Sequence, residues 1–183
     1  MNVILRDIQA VDLPVVREWR NSPNVSRYMF TEHVISAEEH LKWFERIKTD
    51  PSCKVWIIQC DKVGVGLANI YNLDRRNSRC YWGSYVADDK LRGKGIGSFV
   101  EYLVLRHVFD ELRLHKLCCE VLSFNTGAID IHRSFGFKEE GRLRQHLKKG
   151  GLHHDVVLLG ILRKEWEIQH PIQTERMRAR GML

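Results

Sequence analysis

Metal-binding and disulfide patterns are missing from the sequence. Its 183 residues include 5 cysteines, none in a C-x-x-C spacing and none grouped with histidines as a zinc ligand set, so no metal is expected. Cys118 and Cys119 are adjacent, and neighbours on a strand point to opposite faces, which makes them poor disulfide partners. No apolar run approaches the roughly 18 residues of a membrane-crossing helix. Residues 1–7 lack the apolar stretch of a signal peptide. A reducing cytoplasm is the expected compartment. Only 4 prolines interrupt the chain and 44% of residues are hydrophobic, so a disordered polymer is excluded.

Nucleotide motifs are scarce too. The phosphate-loop string G-x-x-x-x-G-K-[ST] does not occur, and neither does the dinucleotide fingerprint G-x-G-x-x-G. Charge is uneven in sign, with 29 Lys and Arg against 23 Asp and Glu, a net charge of +6. The basic residues are scattered, densest over 142–149 and 176–180. A solvated surface with a basic tail accounts for them, and so does a phosphate-bearing small ligand.

Periodicity supplies the organisation. Residues 3–8 read as a strand, and Asp12 opens a helix that tolerates Pro14 in its first turn and runs to about Trp19. Residues 20–24 break it. Ser36-Ala37-Glu38-Glu39 has the form of a capping box, followed by an apolar stripe of His40, Trp43, Phe44 and Ile47. Strands at 55–60, 63–71 and 79–87 are joined by short polar turns and read as antiparallel hairpins. A helix from near Gly95, a strand at 117–122, a short helix around 128–135 and a hairpin of 137–147 with 152–162 complete the domain. The expected fold is a mixed α/β single domain over 1–168, with a loosely ordered basic tail over 169–183.

The most informative segment runs from Val86 to Gly97, between a strand and a long amphipathic helix. Gly93, Gly95 and Gly97 let the backbone turn tightly and approach a ligand closely. With the free N–H groups of the helix start, Arg92 and Lys94 complete a site for phosphate oxygens.

Arg92, Gly95 and Gly97 spell R-x-x-G-x-G, which resembles the pyrophosphate-binding motif of the GNAT N-acetyltransferase superfamily. A second stretch, from Asn125 through Ala128 to Gly136 and Phe137, resembles that family's other cofactor-side motif in register. The order of elements agrees from Val3 to about Leu162. The resemblance implies the GNAT fold, a mostly antiparallel central sheet with one splayed parallel pair and about four helices. It also implies acetyl-coenzyme A as cofactor, held by Val86, Arg92, Gly93, Lys94, Gly95, Ile96, Gly97, Asn125 and Phe137.

His132 stands where many relatives place a tyrosine near the cofactor sulfur. A general acid for the leaving thiolate and a packing residue are both open readings. The acyl-transfer step needs a hydrogen-bond donor for the thioester oxygen, which the resemblance implies is a backbone N–H near Tyr85 or Val86. It also needs a base for the acceptor amine. Glu120 is the one acid within 117–122, and it reads either as that base or substrate ligand or as half of a structural ion pair. Cys118 and Cys119 lack a histidine in their own motif, so an acetyl-cysteine intermediate is not expected.

The acceptor region is crowded with Trp19, Arg20, Asn21, Asn24, Arg27 and Met29, which suit stacking and phosphate binding or else form an apolar lid. The W-R-N segment, with residues 39–44, resembles the nucleotide-sugar N-acetyltransferases of pseudaminic acid biosynthesis. These acetylate the 4-amino group of UDP-4-amino-4,6-dideoxy-N-acetyl-β-L-altrosamine. Tyr81, Trp82 and Tyr85 would then line the sugar side. The expected partner is such a nucleotide sugar, with no nucleic acid and no membrane, and a homodimer remains an option. A protein N-terminus or a polyamine is the alternative acceptor, and a non-catalytic basic binding module is the alternative class.

Overall fold

The computed structural model describes residues 1–91 and 93–183. The chain folds in the order β1 (Val3–Asp7), α1 (Leu13–Asn21), α2 (Pro23–Ser26), α3 (Ala37–Thr49), β2 (Lys54–Cys60), β3 (Val63–Asp74), β4 (Arg79–Val86), α4 (Ile96–Arg106), β5 (Lys116–Leu122), α5 (Thr126–Ser134), β6 (Lys138–Lys149), β7 (Leu152–Leu162) and α6 (Arg163–Ala179). One seven-stranded sheet has the order β1-β2-β3-β4-β5-β7-β6.

Local chemistry accounts for most boundaries. Ser36 Oγ accepts the Glu39 N–H at 3.1 Å and starts α3, the forward half of the expected box. Gly95 caps α4 in the left-handed region at φ 83°, a conformation that disfavours a side chain. Among the described residues six helices, α1–α6, flank the sheet rather than about four. Residues 20–24 form no open break, because Ser22 alone separates α1 from α2, and Pro23 is tolerated at a helix start.

The tail expectation is also corrected. Residues 169–179 continue α6, whose Trp166, Gln173 and Met177 are buried. An apolar residue at 166 and another at 177, three helical turns apart, share one face and hold that helix on the core.

The sheet separates two apolar layers. Trp82, Leu117 and Cys119 join α4 residues such as Phe99 and Val104 in the main core. On the opposite face, Ile57 and Leu67 pack with Val16, Trp19 and Tyr85 beneath α1 and α3.

Parallel strands β4 and β5 pair only over Arg79–Tyr81 with Lys116–Cys118. Beyond that point β4 stays bonded to β3 as far as Val86, and β5 stays bonded to β7 as far as Leu122. Each strand follows its outer neighbour, and a V-shaped cleft opens between them.

Candidate active site

A cavity of about 1220 Å³ occupies this cleft and reaches both faces of the sheet. Side chains alternate along a strand, so consecutive residues on its walls serve opposite faces. On the α1–α3 face it meets Arg20, Asn24, Met29, Tyr85 and Glu120. On the α4–α5 face it meets Gly97, Glu101, Asn125 and His132, with Trp82 and Val86 on the β4 wall.

The cleft frees backbone donors. Ala87 N–H donates to the Val65 carbonyl at 2.8 Å, toward β3. Main-chain groups of a strand alternate sides, so Val86 N–H points away from β3 into the cleft. Of the two positions expected to supply an oxyanion donor, Val86 has this direction and Tyr85 faces β3. The adjoining backbone is tight. A Cβ on Gly66 would lie 2.1 Å from the Tyr85 carbonyl oxygen.

His132 is held from several sides. Its Nδ1 lies 2.9 Å from Glu101 Oε1, and Glu101 is only 1% exposed. Trp82 meets the ring edge-on at 5.3 Å, and Phe137 lies at the same centroid distance. Burial pulls the imidazole pKa down, but the carboxylate of Glu101 and a hydrogen bond with the Cys119 thiol outweigh it, and the net shift is well upward. The Glu101 carboxylate thus favours the imidazolium form of His132. Burial pushes the Cys119 thiol up instead, so this Cys–His contact makes no nucleophilic thiolate.

Across the sheet, Arg20 Nη2 donates to Thr31 Oγ1 at 3.1 Å, while its buried Nη1 has no partner among the described residues. Desolvation lowers the guanidinium's pKa. The Tyr85 hydroxyl is likewise buried and unpartnered, and burial pushes its pKa up. Glu120 lies close enough to the Tyr71 phenol to help raise that group's pKa, second to burial.

Several expected site residues lie elsewhere. Trp19 belongs to the small apolar cluster. Asn21 receives the Ile35 N–H and donates to the Ile35 carbonyl, which pins the 31–36 segment. Arg27 is exposed and lies over its neighbour Tyr28, and Tyr81 stacks on Tyr71. None of the four lines the cavity, since each is committed to a local contact. Ile96 and Phe137 are core residues, 1% and 3% exposed, which support the cofactor elements from beneath. Arg92 lies outside the described residues. Glu101 was not singled out from sequence; an acid in the apolar stripe of α4 was the signal that could have found it.

The cofactor half fits coenzyme A. A Cβ on Gly93 or on Gly127 would meet nothing within 4 Å, so Gly93 before α4 and the first turn of α5 both face open space. Two helix starts converging on one cavity provide backbone donors for phosphate and amide oxygens. Among the described residues no group of three or more His, Cys, Asp and Glu could hold a metal ion, and no helix is long and apolar enough to cross a membrane.

Comparison with known proteins agrees with this geometry. Residues 2–138 match the acetyltransferase (GNAT) domain family. The spermidine N(1)-acetyltransferase of Escherichia coli (strain K12) is 25% identical over 169 residues, covering 92% of this chain and 90% of that protein. The acetyltransferase PseH of Campylobacter jejuni is 24% identical over 131 residues, covering 72% and 80%. The Vibrio cholerae spermidine N-acetyltransferase, solved in complex with CoA and spermine, superposes with a TM-score of 0.85 at 23% identity, covering 90% of this chain and 98% of that one. With the fold, the cleft and the family match in agreement, the chain belongs to the GNAT family and is an N-acetyltransferase that uses acetyl-coenzyme A.

Proposed function

We propose that the chain acetylates the amine of an anionic small molecule, with a UDP-linked 4-amino-4,6-dideoxy sugar as acceptor. The observation that carries this reading is Arg20, a desolvated guanidinium with an unpartnered Nη1 in the acceptor half of the cavity. An unpaired buried charge is costly, and a diphosphate would offset that cost through paired hydrogen bonds. The likeness to PseH supports the same acceptor class.

A polyamine is the competing acceptor, since Glu38, Glu39 and Glu120 also line the cavity and a relative is a spermidine acetyltransferase. Two of these carboxylates are engaged already. Glu38 pairs with Lys42 at 2.6 Å, and Glu39 contacts His33 at 2.8 Å. That leaves Glu120, in a cavity that also holds the Arg20 guanidinium.

Acetyl-coenzyme A, when bound, supplies an acetyl thioester. Glu120 removes the proton that keeps the acceptor amine from attacking, on the acceptor face. Val86 N–H steadies the negative charge that develops on the carbonyl oxygen. His132, kept protonated by Glu101, returns a proton on the opposite face, where the thiolate departs. The sheet thus keeps the proton acceptor and the proton donor apart.

Thiol release with the UDP-linked amino sugar, the free amino sugar and spermidine tests the proposal. The linked sugar is expected to have the highest kcat/KM, because binding energy from the nucleotide positions the amine. Arg20→Ala should cost about ten- to a hundred-fold on that substrate alone. Equal rates on free and linked sugar would remove the nucleotide from the reading. Preference for spermidine would end it.

A further inference from the structure

We infer that Arg180, in the turn that ends α6, is a phosphate ligand for coenzyme A, resting on the reading of residues 93–97 as the phosphate loop. Helix α6 crosses α4 from end to end. Trp166 stacks near Phe109 beyond the C-terminal end of α4, Thr174 Oγ1 hydrogen-bonds the Tyr102 hydroxyl at 2.9 Å in its middle, and Arg180 arrives at its N-terminal cap.

The turn that follows α6 fixes this arrival. Met182 N–H donates to the Met177 carbonyl at 3.0 Å and Gly181 N–H to the Arg178 carbonyl at 2.8 Å. Gly181 is left-handed at φ 64°. Those bonds form a Schellman cap, and its apolar contact is present, since Met177 is fully buried and Met182 packs on the same core. The turn is therefore a packed end that aims one side chain.

That side chain reaches the loop. The Nη1 atom of Arg180 lies 3.2 Å from where a Cβ on Gly95 would be. Gly95, which follows Lys94 in sequence, is the N-cap of α4, so the guanidinium stands beside the positive end of that helix. Among the described residues no carboxylate pairs with Arg180, although Arg178 nearby pairs with Glu175 at 3.6 Å. The negative end of α6 favours a cation here, and the adjoining start of α4 is itself positive. An anion at the loop would neutralise both helix start and guanidinium, and coenzyme A brings a diphosphate and a 3′-phosphate.

Calorimetric titration of coenzyme A and 3′-dephospho-coenzyme A into the full chain tests this. Arg180→Ala should raise the Kd for coenzyme A about ten- to a hundred-fold, the range of a charge-assisted contact. Its Tm without ligand should stay at the wild-type value, because the side chain is exposed and the cap is made by backbone groups. Arg180→Lys should recover part of the affinity. A loss that persists with the dephospho form assigns the contact to the diphosphate, and a loss confined to coenzyme A assigns it to the 3′-phosphate. Unchanged or tighter binding by Arg180→Ala would overturn the inference. Gly95→Val separates the underlying reading: if that variant binds as well as wild type, the loop is not the phosphate site, whatever Arg180 does.

Discussion

Glu101 and His132 share one hydrogen bond of 2.9 Å in a place where neither charge could stand alone. Removing one partner should therefore cost more than removing both. His132→Gln leaves the carboxylate buried without a cation and is expected to cost about 3–5 kcal/mol, with part of it recovered in the Glu101→Gln, His132→Gln double variant. The pH dependence has a definite sign. The folded pKa of His132 is raised, so the stabilisation is complete below about pH 6.5, the unfolded value. It is lost as pH rises through the raised folded value. Thermal melts from pH 6 to 10 should show the wild type and the double variant converging at the alkaline end. A constant gap would mean that packing, not charge, makes the difference. At this scale the sequence marked His132 as an unusual occupant of its slot, but the contact across 31 positions that gives it a charge is a product of the fold.

The splayed pair is a property of elements. Gly66 allows β3 to approach β4 at Tyr85 and Val86, where the Val86 N–H turns to the cleft. Gly66→Ala must push the two strands apart there, and a loss of about 1–3 kcal/mol together with most of the activity is expected. Gly83 is the control, since a Cβ there would have Asn69 Oδ1 at 3.6 Å, an ordinary contact. Gly83→Ala should keep its Tm, and an equal loss of stability from the two substitutions would refute the explanation. The strands themselves were legible because polar turns punctuate alternating runs. Helix α2 and the pinning of residues 31–36 were not. They depend on Asn21 bonding to Ile35 and on Lys149 reaching the Thr31 carbonyl from the distant β6–β7 turn.

For the molecule as a whole, α6 closes the face that carries the cofactor half. Trp166 is 1% exposed and is enclosed by Tyr102, Phe109 and His170. Trp166→Ala is expected to lower stability by roughly 3–5 kcal/mol, read as a fall in the denaturation midpoint. A shift below 1 kcal/mol would show α6 to be an appendage. The family match ends at residue 138, so β6, β7 and α6 all lie beyond it, and β7 and α6 both add buried residues to the core.

The sequence by itself determined the strands, most of the helices and the glycine-marked loop before α4, because these follow from local periodicity and from backbone freedom at fixed positions. The kind of reaction followed from the resemblance of its two glycine-bearing motifs to those of the GNAT family. Tertiary structure decided which of the candidate residues meet. Arg20 and Glu120 reach the cavity from one face, and His132 reaches it from the other. Trp19, Asn21, Arg27 and Tyr81 turn to local partners instead. The cleft exists because β4 and β5 each follow a different outer neighbour, a competition between long-range pairings that no window of sequence contains.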